Sequence, residues 1–252
     1  SEGRMDRKKL GLSIVIPCFN EAENVTSLLK KLNQIIPSDL YKIEIIIVDG
    51  CSTDDTAMIL KREFQKLDES IFSLVLMKNR LGYGNDIIEG LKIARYDYLC
   101  WTHADLQTDP QDVIRGLEIL SASNSKNSIL KGKRKSRPAL DVLLTAGMQL
   151  IVFLILKVNL NDINAQPKIF SRDFYDDFLR KGAPKDFSLD LFALYQAKMN
   201  NFEILSFPVE FKKREFGVAK GGGGSLRNRV NLIQRTFKYI RGLKKDLLNS
   251  SQ

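Results

Sequence analysis

Residues 12–21 read Leu-Ser-Ile-Val-Ile-Pro-Cys-Phe-Asn-Glu, an apolar run that ends in a polar cluster. The apolar run Leu12–Pro17 predicts a buried strand, because its residues favour extended structure and carry no charge. Asn20, with Glu23 three positions on, predicts the start of a helix that Asn20 caps. A strand that leads straight into a helix is the repeating unit of α/β proteins, so this stretch predicts the class of the fold.

The same succession of strand, loop and helix recurs along the first half of the chain. Further strands are predicted at Ile43–Val48, Leu74–Met77 and Tyr98–Trp101, with helices reaching Leu67 and covering Gly84–Arg95. Strands separated by helices of this length imply right-handed crossovers and a mostly parallel sheet. We therefore expect a Rossmann-like, three-layer α/β/α fold with a mostly parallel central sheet.

The second half of the chain is less regular. Residues 129–137 predict a short strand that ends in five cations within seven residues, and residues 202–208 and 209–213 predict two more strands. The apolar stretch 142–156 is shorter than the roughly 20 residues of a spanning helix. It fits a buried helix, which we favour, or a helix that lies in a membrane surface. Residues 226–248 predict a basic amphipathic helix.

One domain is expected over residues 1–225, with the basic helix at 226–252 packed on it or next to it. The glycine-rich stretch 217–225 is interpreted as a flexible loop, because too few residues follow it to form another domain. Residues 1–4 precede Met5 and are interpreted as a cloning remnant, and no secretion signal is visible.

The composition restricts the class of partner. The 252 residues include 39 Lys and Arg against 30 Asp and Glu, a net charge of +9 that favours nucleotides, lipid head groups or nucleic acid. Cys18, Cys51 and Cys100 form no paired motif, which argues against a disulfide framework or a zinc site and fits a reducing cytosol. Neither a Gly-x-Gly-x-x-Gly fingerprint nor a Walker loop is present, so a dinucleotide site and an ATPase are not supported.

Polar clusters follow three of the predicted strands. They are residues 17–21, 49–55 and 103–107. The last contains His103, the only histidine of the chain, with Asp105 and Gln107 at i+2 and i+4, a spacing that can turn nitrogen and oxygen ligands toward one metal ion. Because parallel strands end at one edge, the clusters predict a pocket that holds a base and ribose on carboxylates and a diphosphate on a divalent metal.

In chain order, these clusters resemble motifs of the glycosyltransferase family 2 enzymes of GT-A fold. Residues 14–21 resemble the family's Val-x-Ile-Pro-x-Tyr-Asn-Glu, residues 47–56 its Val-Asp-Asp-x-Ser-x-Asp-x-Thr, and residues 103–107 its Asp-Ala-Asp-Leu-Gln. The resemblance spans roughly residues 12 to 240, especially to polyprenyl-phosphate sugar transferases similar to dolichol-phosphate mannose synthase. It implies a GT-A fold and a single catalytic domain.

The resemblance implies roles for the pocket residues. Asp105, Gln107 and His103 would hold Mn²⁺ or Mg²⁺, and a histidine in place of the family's first acid makes Mn²⁺ the more plausible ion. In a second interpretation, His103 touches no metal and hydrogen-bonds ribose or phosphate. Ser52 and Asp54 would fix a turn and cap a helix. The residues implied to bind the donor are Pro17, Phe19, Glu21, Asp49, His103, Ala104, Asp105, Arg214 and Lys220.

Two residues are implied on the acceptor side. Gly132-Lys133-Arg134 resembles the family's Gly-Ser-Arg, so Arg134 would position the acceptor, whereas Arg137 is interpreted as a solvated or membrane-attracting cation. Asp190 lies where inverting relatives carry a carboxylate near the acceptor, and it fits either a catalytic base or a helix-start acid stabilised by the helix dipole. A polyprenyl phosphate acceptor is already anionic and requires no base. A sugar hydroxyl acceptor requires a base.

We therefore expect an inverting glycosyltransferase that takes a nucleotide-diphosphate sugar as donor. The expected acceptor is a polyprenyl phosphate or a glycan precursor of the cell envelope, and the expected location is cytoplasmic, peripheral to the inner face of the membrane. Two alternatives stay open: a nucleotidyltransferase acting on a sugar phosphate, and a non-catalytic basic protein that binds nucleic acid or membrane. No nucleic-acid motif accompanies the cations, so nucleic acid is not an expected partner. No oligomeric state is predicted.

Overall fold

Strands and helices alternate in the computed structural model, which describes residues 10–35, 41–123, 126–137, 139–212 and 226–249. The strands are β1 Leu10–Cys18, β2 Tyr41–Asp49, β3 Phe72–Leu76, β4 Tyr98–Trp101, β5 Ser128–Lys135, β6 Lys168–Ser171 and β7 Glu203–Glu210. The helices are α1 Val25–Ile35, α2 Thr56–Phe64, α3 Tyr83–Ile93, α4 Gln111–Ala122, α5 Ala139–Leu156, α6 Arg172–Phe174 with a π-helical turn at Tyr175–Leu179, α7 Leu189–Met199 and α8 Leu226–Asn249. The strands predicted in the first half are confirmed.

The seven described strands form one sheet in the order β3-β2-β1-β4-β6-β5-β7. β1 pairs in parallel with β2 and β4, β2 with β3, and β5 with β7. β6 runs antiparallel to both of its neighbours, β4 and β5. The mostly parallel sheet is confirmed, and among the described strands β6 is the one that runs in the opposite direction.

Helices cover both faces of the sheet, because alternate residues of a strand point to opposite sides. Ile14 and Ile16 of β1 are buried in the apolar cluster that includes residues of α1, α2 and α4. Val15 of β1, with Ile46 and Val48 of β2, is buried in the cluster that includes residues of α3, α5 and α7. The central strands are therefore apolar on both faces, and the predicted three-layer fold is confirmed.

The first helix begins later than predicted. α1 starts at Val25, whereas Asn20 has a φ of 52°, outside the right-handed helical region. The Asn20 N–H donates to Ser52 Oγ at 2.9 Å, and its Oδ1 accepts from the Thr53 N–H at 2.8 Å. The predicted cap is wrong because this side chain joins the loop after β1 to the loop after β2 instead of starting a helix.

A single strand replaces the two predicted at 202–208 and 209–213. β7 continues through Pro208 to Glu210 without a break. It lies at the edge of the sheet, the position where a residue without a backbone N–H is tolerated. The boundary predicted between two strands is therefore wrong.

Helix α5 is exposed. Of its 18 residues, Val152 and Leu156 are the ones that are buried. The buried helix that we favoured from the sequence is therefore wrong. By length and composition alone, α5 is long and apolar enough to cross a membrane, and 11% of its apolar window lies inside the protein. Its exposed large side chains are Leu140, Val142, Leu143, Leu150, Phe153 and Leu154.

The basic helix α8 contacts α5. Its Ile240 and Leu243 are buried in the same apolar cluster as Val152 and Leu156 of α5. Between Leu226 and Asn249 the sequence has seven Lys and Arg against one Asp. An apolar helix and a basic helix therefore lie side by side on the surface.

Candidate active site

A cavity of about 640 Å³ opens where β1 and β4 end and reaches α5 and α8. β1 lies between β2 and β4, where the order of the strands reverses, and ligands bind at such points in open α/β sheets. Asp49 and Asp190 are buried, 2% and 1% exposed, and do not line the cavity. Arg214 and Lys220 lie outside the described residues. The predicted residues that line it are Pro17, Phe19, Glu21, His103, Ala104, Asp105, Gln107 and Arg134.

The first two polar clusters are hydrogen-bonded to each other, and the first of them forms one wall of the cavity. The Glu21 N–H donates to Thr56 Oγ1 at 2.8 Å, and the Thr56 N–H donates to Asp54 Oδ1 at 3.0 Å. The Ser52 N–H donates to Asp49 Oδ2 at 3.1 Å. Ser52 and Asp54 therefore shape the turn before α2 and do not line the cavity, which fits the structural role that the resemblance implied.

An ion pair that the sequence did not predict lies beside this wall. Arg80 Nη1 is 2.8 Å from Asp86 Oδ2, and the Arg80 guanidinium lies over the Phe19 ring at 4.0 Å from its centroid. Asp86 is 1% exposed, and both members of the pair line the cavity. The aromatic face, the cation and the carboxylate are groups that can contact a nucleobase and its sugar.

Gly50 makes room for this ion pair. A Cβ atom at residue 50 would lie 2.2 Å from Asp86 Oδ2 and 2.8 Å from Arg80 Nη1, closer than any real contact. Residue 50 is the position where the family's Val-Asp-Asp pattern has its second acid. The glycine in place of this acid was therefore the one feature of the sequence that could have indicated the ion pair.

Burial raises the pKa of Asp86 to about 6, against the opposing effect of Arg80, and the nearby Asp49 adds to the rise. A carboxyl whose pKa is higher in the folded state stabilises the fold at low pH, and this contribution is lost as the pH rises from about 4 through about 6. We expect Asp86→Asn to gain stability relative to the wild type over this range, by up to about 3 kcal/mol.

Urea unfolding of both proteins at several pH values measures this difference. Asp177→Asn makes the same chemical change on the surface, where the side chain is exposed, and serves as control. A difference between Asp86→Asn and wild type that stays constant from pH 4 to pH 8 would contradict the raised pKa.

A buried polar network lies at the centre of the site. The Tyr83 hydroxyl is 3.0 Å from His103 Nε2 and 3.2 Å from Asp190 Oδ2. Asp190 Oδ1 accepts from Trp101 Nε1 at 3.1 Å and from the side-chain amide of Gln166 at 2.9 Å. His103 lines the cavity, so the network connects the cavity to the interior of the protein.

The geometry of Asp190 does not fit the predicted catalytic base. Its carboxylate is 1% exposed and lies 2.5 Å from the Lys168 ammonium, which is also buried. Burial raises the pKa of Asp190, but Lys168 and His103 outweigh burial and hold the pKa below its usual value. A carboxylate that binds protons weakly and does not line the cavity is placed to position other groups rather than to accept the acceptor's proton.

The third cluster brings one carboxylate to the cavity. Asp105 Oδ1 accepts from the Gln107 N–H at 3.1 Å, and the Gln107 side-chain amide donates to the Lys212 carbonyl at 3.2 Å. Burial lowers the pKa of His103, and Asp105 partly offsets this, so the imidazole is neutral near pH 7. Among the described residues, no three His, Cys, Asp or Glu side chains come together as a metal site.

The far end of the cavity is cationic. Arg134 donates to Asp162 Oδ1 from Nε at 2.9 Å, and Arg137 Nη1 lies 3.5 Å from the same oxygen. Arg137 also donates to Thr145 Oγ1 of α5 at 2.6 Å. Burial lowers the pKa of the neighbouring Lys131 to about 8. Arg137, interpreted from the sequence as a solvated or membrane-attracting cation, is 10% exposed and lines the cavity, so the first of these alternatives is wrong.

Comparison with known families and proteins agrees with this arrangement. Residues 13–138 match the profile described as glycosyl transferase family 2. The chain is 24% identical over 249 residues to a dolichyl-phosphate beta-glucosyltransferase of Dictyostelium discoideum, covering 93% of this chain and 76% of that protein. It is 24% identical over 213 residues to an undecaprenyl-phosphate 4-deoxy-4-formamido-L-arabinose transferase of Salmonella choleraesuis, covering 83% of this chain and 62% of that protein, less than two thirds of its length.

Solved structures confirm the fold. Glucosyl-3-phosphoglycerate synthase of Mycobacterium tuberculosis superposes with a TM-score of 0.70 at 15% identity, over 93% of this chain and 79% of that chain. That structure holds Mn²⁺, uridine-diphosphate-glucose and phosphoglyceric acid, and another structure of the same synthase holds Mg²⁺ and uridine-diphosphate. The GT-A fold implied by the sequence is therefore confirmed.

Proposed function

Because the chain belongs to glycosyl transferase family 2, we propose that it transfers a sugar from a nucleotide-diphosphate donor to a polyprenyl phosphate, with inversion at the anomeric carbon. One observation carries the proposal: a continuous cavity connects the Asp105 loop to Arg134 and Arg137 and to the exposed helix α5. A nucleotide sugar requires the loop of Asp105, and an anionic acceptor requires the two arginines. A long isoprenoid chain requires the exposed apolar helix α5.

The donor would occupy the end of the cavity next to β1. Phe19 and the guanidinium of Arg80 offer flat surfaces for a base, and the carboxylates of Glu21 and Asp86 offer acceptors for ribose hydroxyls or base N–H groups. Pro17 and Ala104 line the same end and fill space without competing for hydrogen bonds. The diphosphate would then lie over the loop of Asp105.

Mn²⁺ or Mg²⁺ would be held by Asp105 and Gln107, with oxygens of the donor diphosphate and water completing its shell. This shared mode suits a site with one carboxylate, since Mg²⁺ at nucleotides commonly uses one or two carboxylates and substrate phosphates. The described residues offer no group of three acidic, His or Cys ligands, which would be needed for an all-protein site. Bound there, the ion would stabilise the charge of the departing diphosphate.

The acceptor phosphate would bind at Arg134 and Arg137. These two guanidiniums share the carboxylate of Asp162. With Lys131 and Asp141 nearby, three cations face two carboxylates, so positive charge remains for a phosphate. A phosphate oxygen is already anionic, and the arginines have only to aim it at the anomeric carbon. This is consistent with the burial of Asp190, since no base is needed for such an acceptor.

The isoprenoid chain and the membrane would meet the protein at α5. Leu143, Leu150 and Leu154 lie seven and eleven positions apart along the helix and so share one face, and each is more than half exposed. The basic helix α8 beside them would contact anionic head groups. We place the protein at the cytoplasmic face of a membrane, with α5 against the lipid and the cavity opening beside it.

The double substitution Leu143→Glu/Leu154→Glu is expected to abolish binding to lipid vesicles. Each leucine, 67% and 54% exposed, would contribute roughly tenfold or more to partitioning, because burying it in an apolar phase is worth about 1.5–3 kcal/mol. Co-sedimentation with vesicles that contain anionic lipid measures the loss.

Met58→Glu is the matched control for this variant. Met58 is 61% exposed on α2, which packs against the opposite face of the sheet. Vesicle binding by Leu143→Glu/Leu154→Glu that equals that of Met58→Glu would contradict the membrane contact through α5.

A transfer assay tests the function directly. The full chain is incubated with UDP-, GDP-, CDP- or dTDP-linked sugars, with Mn²⁺ or Mg²⁺, and with polyprenyl phosphate in vesicles or phosphoglyceric acid in solution. We expect a polyprenyl-phosphate sugar and a nucleoside diphosphate as products. Exclusive use of the soluble acceptor would overturn the lipid acceptor. Formation of a nucleotide sugar from a nucleoside triphosphate and a sugar phosphate would instead identify a nucleotidyltransferase.

A further inference from the structure

The hydroxyl of Tyr83 has one proton and two neighbours that can take it. Asp190 Oδ2 lies at 3.2 Å and His103 Nε2 at 3.0 Å. An ionised carboxylate can only accept, whereas an imidazole nitrogen can either donate or accept. If the proton pointed at His103, the phenol oxygen would face a buried carboxylate oxygen with no hydrogen between them, which is unfavourable in a low-dielectric interior.

The proton of Tyr83 is therefore assigned to Asp190. The carboxylate is ionised because Lys168 lies 2.5 Å away and two further donors, Trp101 Nε1 and the Gln166 amide, point at its other oxygen. The phenol oxygen then has lone pairs to offer, so the contact with His103 requires a hydrogen on Nε2. In the neutral imidazole this leaves Nδ1 without a proton.

Nδ1 is accessible from the cavity. His103 lines the cavity, and within the described part of the chain Nδ1 has no hydrogen-bond partner and is not one of the enclosed unpartnered atoms. A lone pair at this place can accept a hydrogen from a hydroxyl group. It cannot donate to a phosphate oxygen. Of the three contacts that the sequence suggested for His103, with a metal ion, ribose or phosphate, the phosphate contact is therefore excluded.

Tyr83 is itself rigidly placed. Its ring stacks on Phe187 at 4.7 Å between centroids with an interplanar angle of 11°, and it meets the His103 ring edge-on at 5.6 Å. The next residue, Gly84, approaches the Pro184 carbonyl so closely that a Cβ would lie 2.3 Å from that oxygen. The start of α3 is thus pressed against the segment before α7, which fixes the phenol beside the imidazole.

We propose that Tyr83 is a positioning residue that holds His103 with Nε2 protonated, so that Nδ1 accepts a hydrogen bond from a hydroxyl of the bound nucleotide sugar. The identity of that ligand rests on the proposed function. The state of the free imidazole does not, because it follows from contacts within the protein. The hydroxyl belongs either to the ribose or to the transferred sugar, two sources that experiment separates.

The chain suits nitrogen NMR, because His103 is its only histidine and an untagged protein gives a single pair of imidazole signals. In the ligand-free wild type, at a pH where the imidazole is neutral, we expect Nε2–H to predominate. In Tyr83→Phe, which keeps the ring and loses the hydroxyl, the ratio of Nε2–H to Nδ1–H should fall about fivefold, the factor that a typical net hydrogen bond contributes.

Tyr175→Phe is the matched control. Tyr175 is buried, and its hydroxyl has no partner among the described residues, so its removal should leave the imidazole signals unchanged. A wild type with predominant Nδ1–H, or a Tyr83→Phe ratio equal to that of Tyr175→Phe, would overturn the positioning role.

Ligand additions test the second half of the proposal. A nucleotide sugar should shift the NMR signal of Nδ1. A nucleoside diphosphate should cause the same shift if the hydroxyl belongs to the ribose, and no shift if it belongs to the transferred sugar. A shift of equal size with Mg²⁺ alone would show that the lone pair takes a cation and would overturn the hydroxyl contact. If calorimetry detects no binding of any nucleotide sugar, the proposed function fails. The NMR result for Tyr83→Phe remains valid in that case, because it is measured without ligand.

Discussion

Asp190→Asn is expected to lower the free energy of unfolding by about 3–5 kcal/mol, because it leaves the Lys168 ammonium buried without its counter-charge. The two groups lie 2.5 Å apart, and both side chains are 2% exposed. Two carbonyls, of Ile163 and Ala165, also accept from Lys168, at 2.8 and 3.1 Å, but they supply no negative charge. Urea unfolding at neutral pH measures the loss.

A double variant separates the ion pair from general damage to the core. Lys168→Met alone should also destabilise, since it leaves the carboxylate of Asp190 unpaired. Lys168→Met combined with Asp190→Asn removes both charges, so it should be at least about 2 kcal/mol more stable than the sum of the single effects predicts. Asp176→Asn, which breaks an exposed pair with Arg180 at 3.1 Å, is the control and should cost less than about 1 kcal/mol.

The single variant Asp190→Asn also decides the chemical role of Asp190. With a polyprenyl phosphate as acceptor, kcat of Asp190→Asn, measured well below its melting temperature, should fall less than about tenfold. A general base contributes about 10²-fold or more. A loss of that size would restore Asp190 as a catalytic base. If the losses of unfolding free energy in Lys168→Met and Asp190→Asn simply add up in the double variant, the structural role of the pair is contradicted.

Asp105→Asn is expected to lower kcat by about 10³-fold. The carboxylate lines the cavity and is the group proposed to hold the divalent ion, and loss of several kcal/mol of charge stabilisation corresponds to that factor. Stability should change little, because Asp105 is partly exposed. Steady-state kinetics with saturating Mn²⁺ or Mg²⁺ and thermal stabilisation by a nucleoside diphosphate measure the two consequences.

Asp109→Asn provides the control for this variant. Asp109 is exposed in the same loop, and its Oδ1 accepts from the Gln111 N–H at 2.9 Å, a bond that an asparagine oxygen keeps. The control should retain activity within about twofold of the wild type. Activity of Asp105→Asn at the level of Asp109→Asn would remove the proposed metal site.

The parts of the fold that the sequence predicted depend on local pattern. β1 and β2 are short runs of apolar residues, rich in Ile and Val and bounded by polar residues, and this pattern favours buried strands. Three polar clusters at strand ends are then expected to meet at one edge. Residues of the first and third clusters do line a common cavity, and the second cluster is hydrogen-bonded to the first without lining it. Short-range order of this kind can be read directly from a sequence.

The parts that the sequence missed depend on contacts between distant residues. Arg80 and Asp86 are close because Gly50, far away in the chain, leaves them room. Asp190 is withdrawn from the cavity by Lys168, which no spacing pattern connects to it. The exposure of α5 is another such case, since an apolar run of 18 residues predicts a helix but not what covers it.

The close approach of Gly50 to Asp86 also makes these two positions depend on each other. A Cβ at residue 50 would lie 2.2 Å from Asp86 Oδ2 and 2.8 Å from Arg80 Nη1, so a side chain at residue 50 has to displace one of these groups. The cost of a substitution at residue 50 is therefore set by the residue at 86: with Asp86 present it includes disruption of the pair with Arg80, and with a smaller residue there it does not.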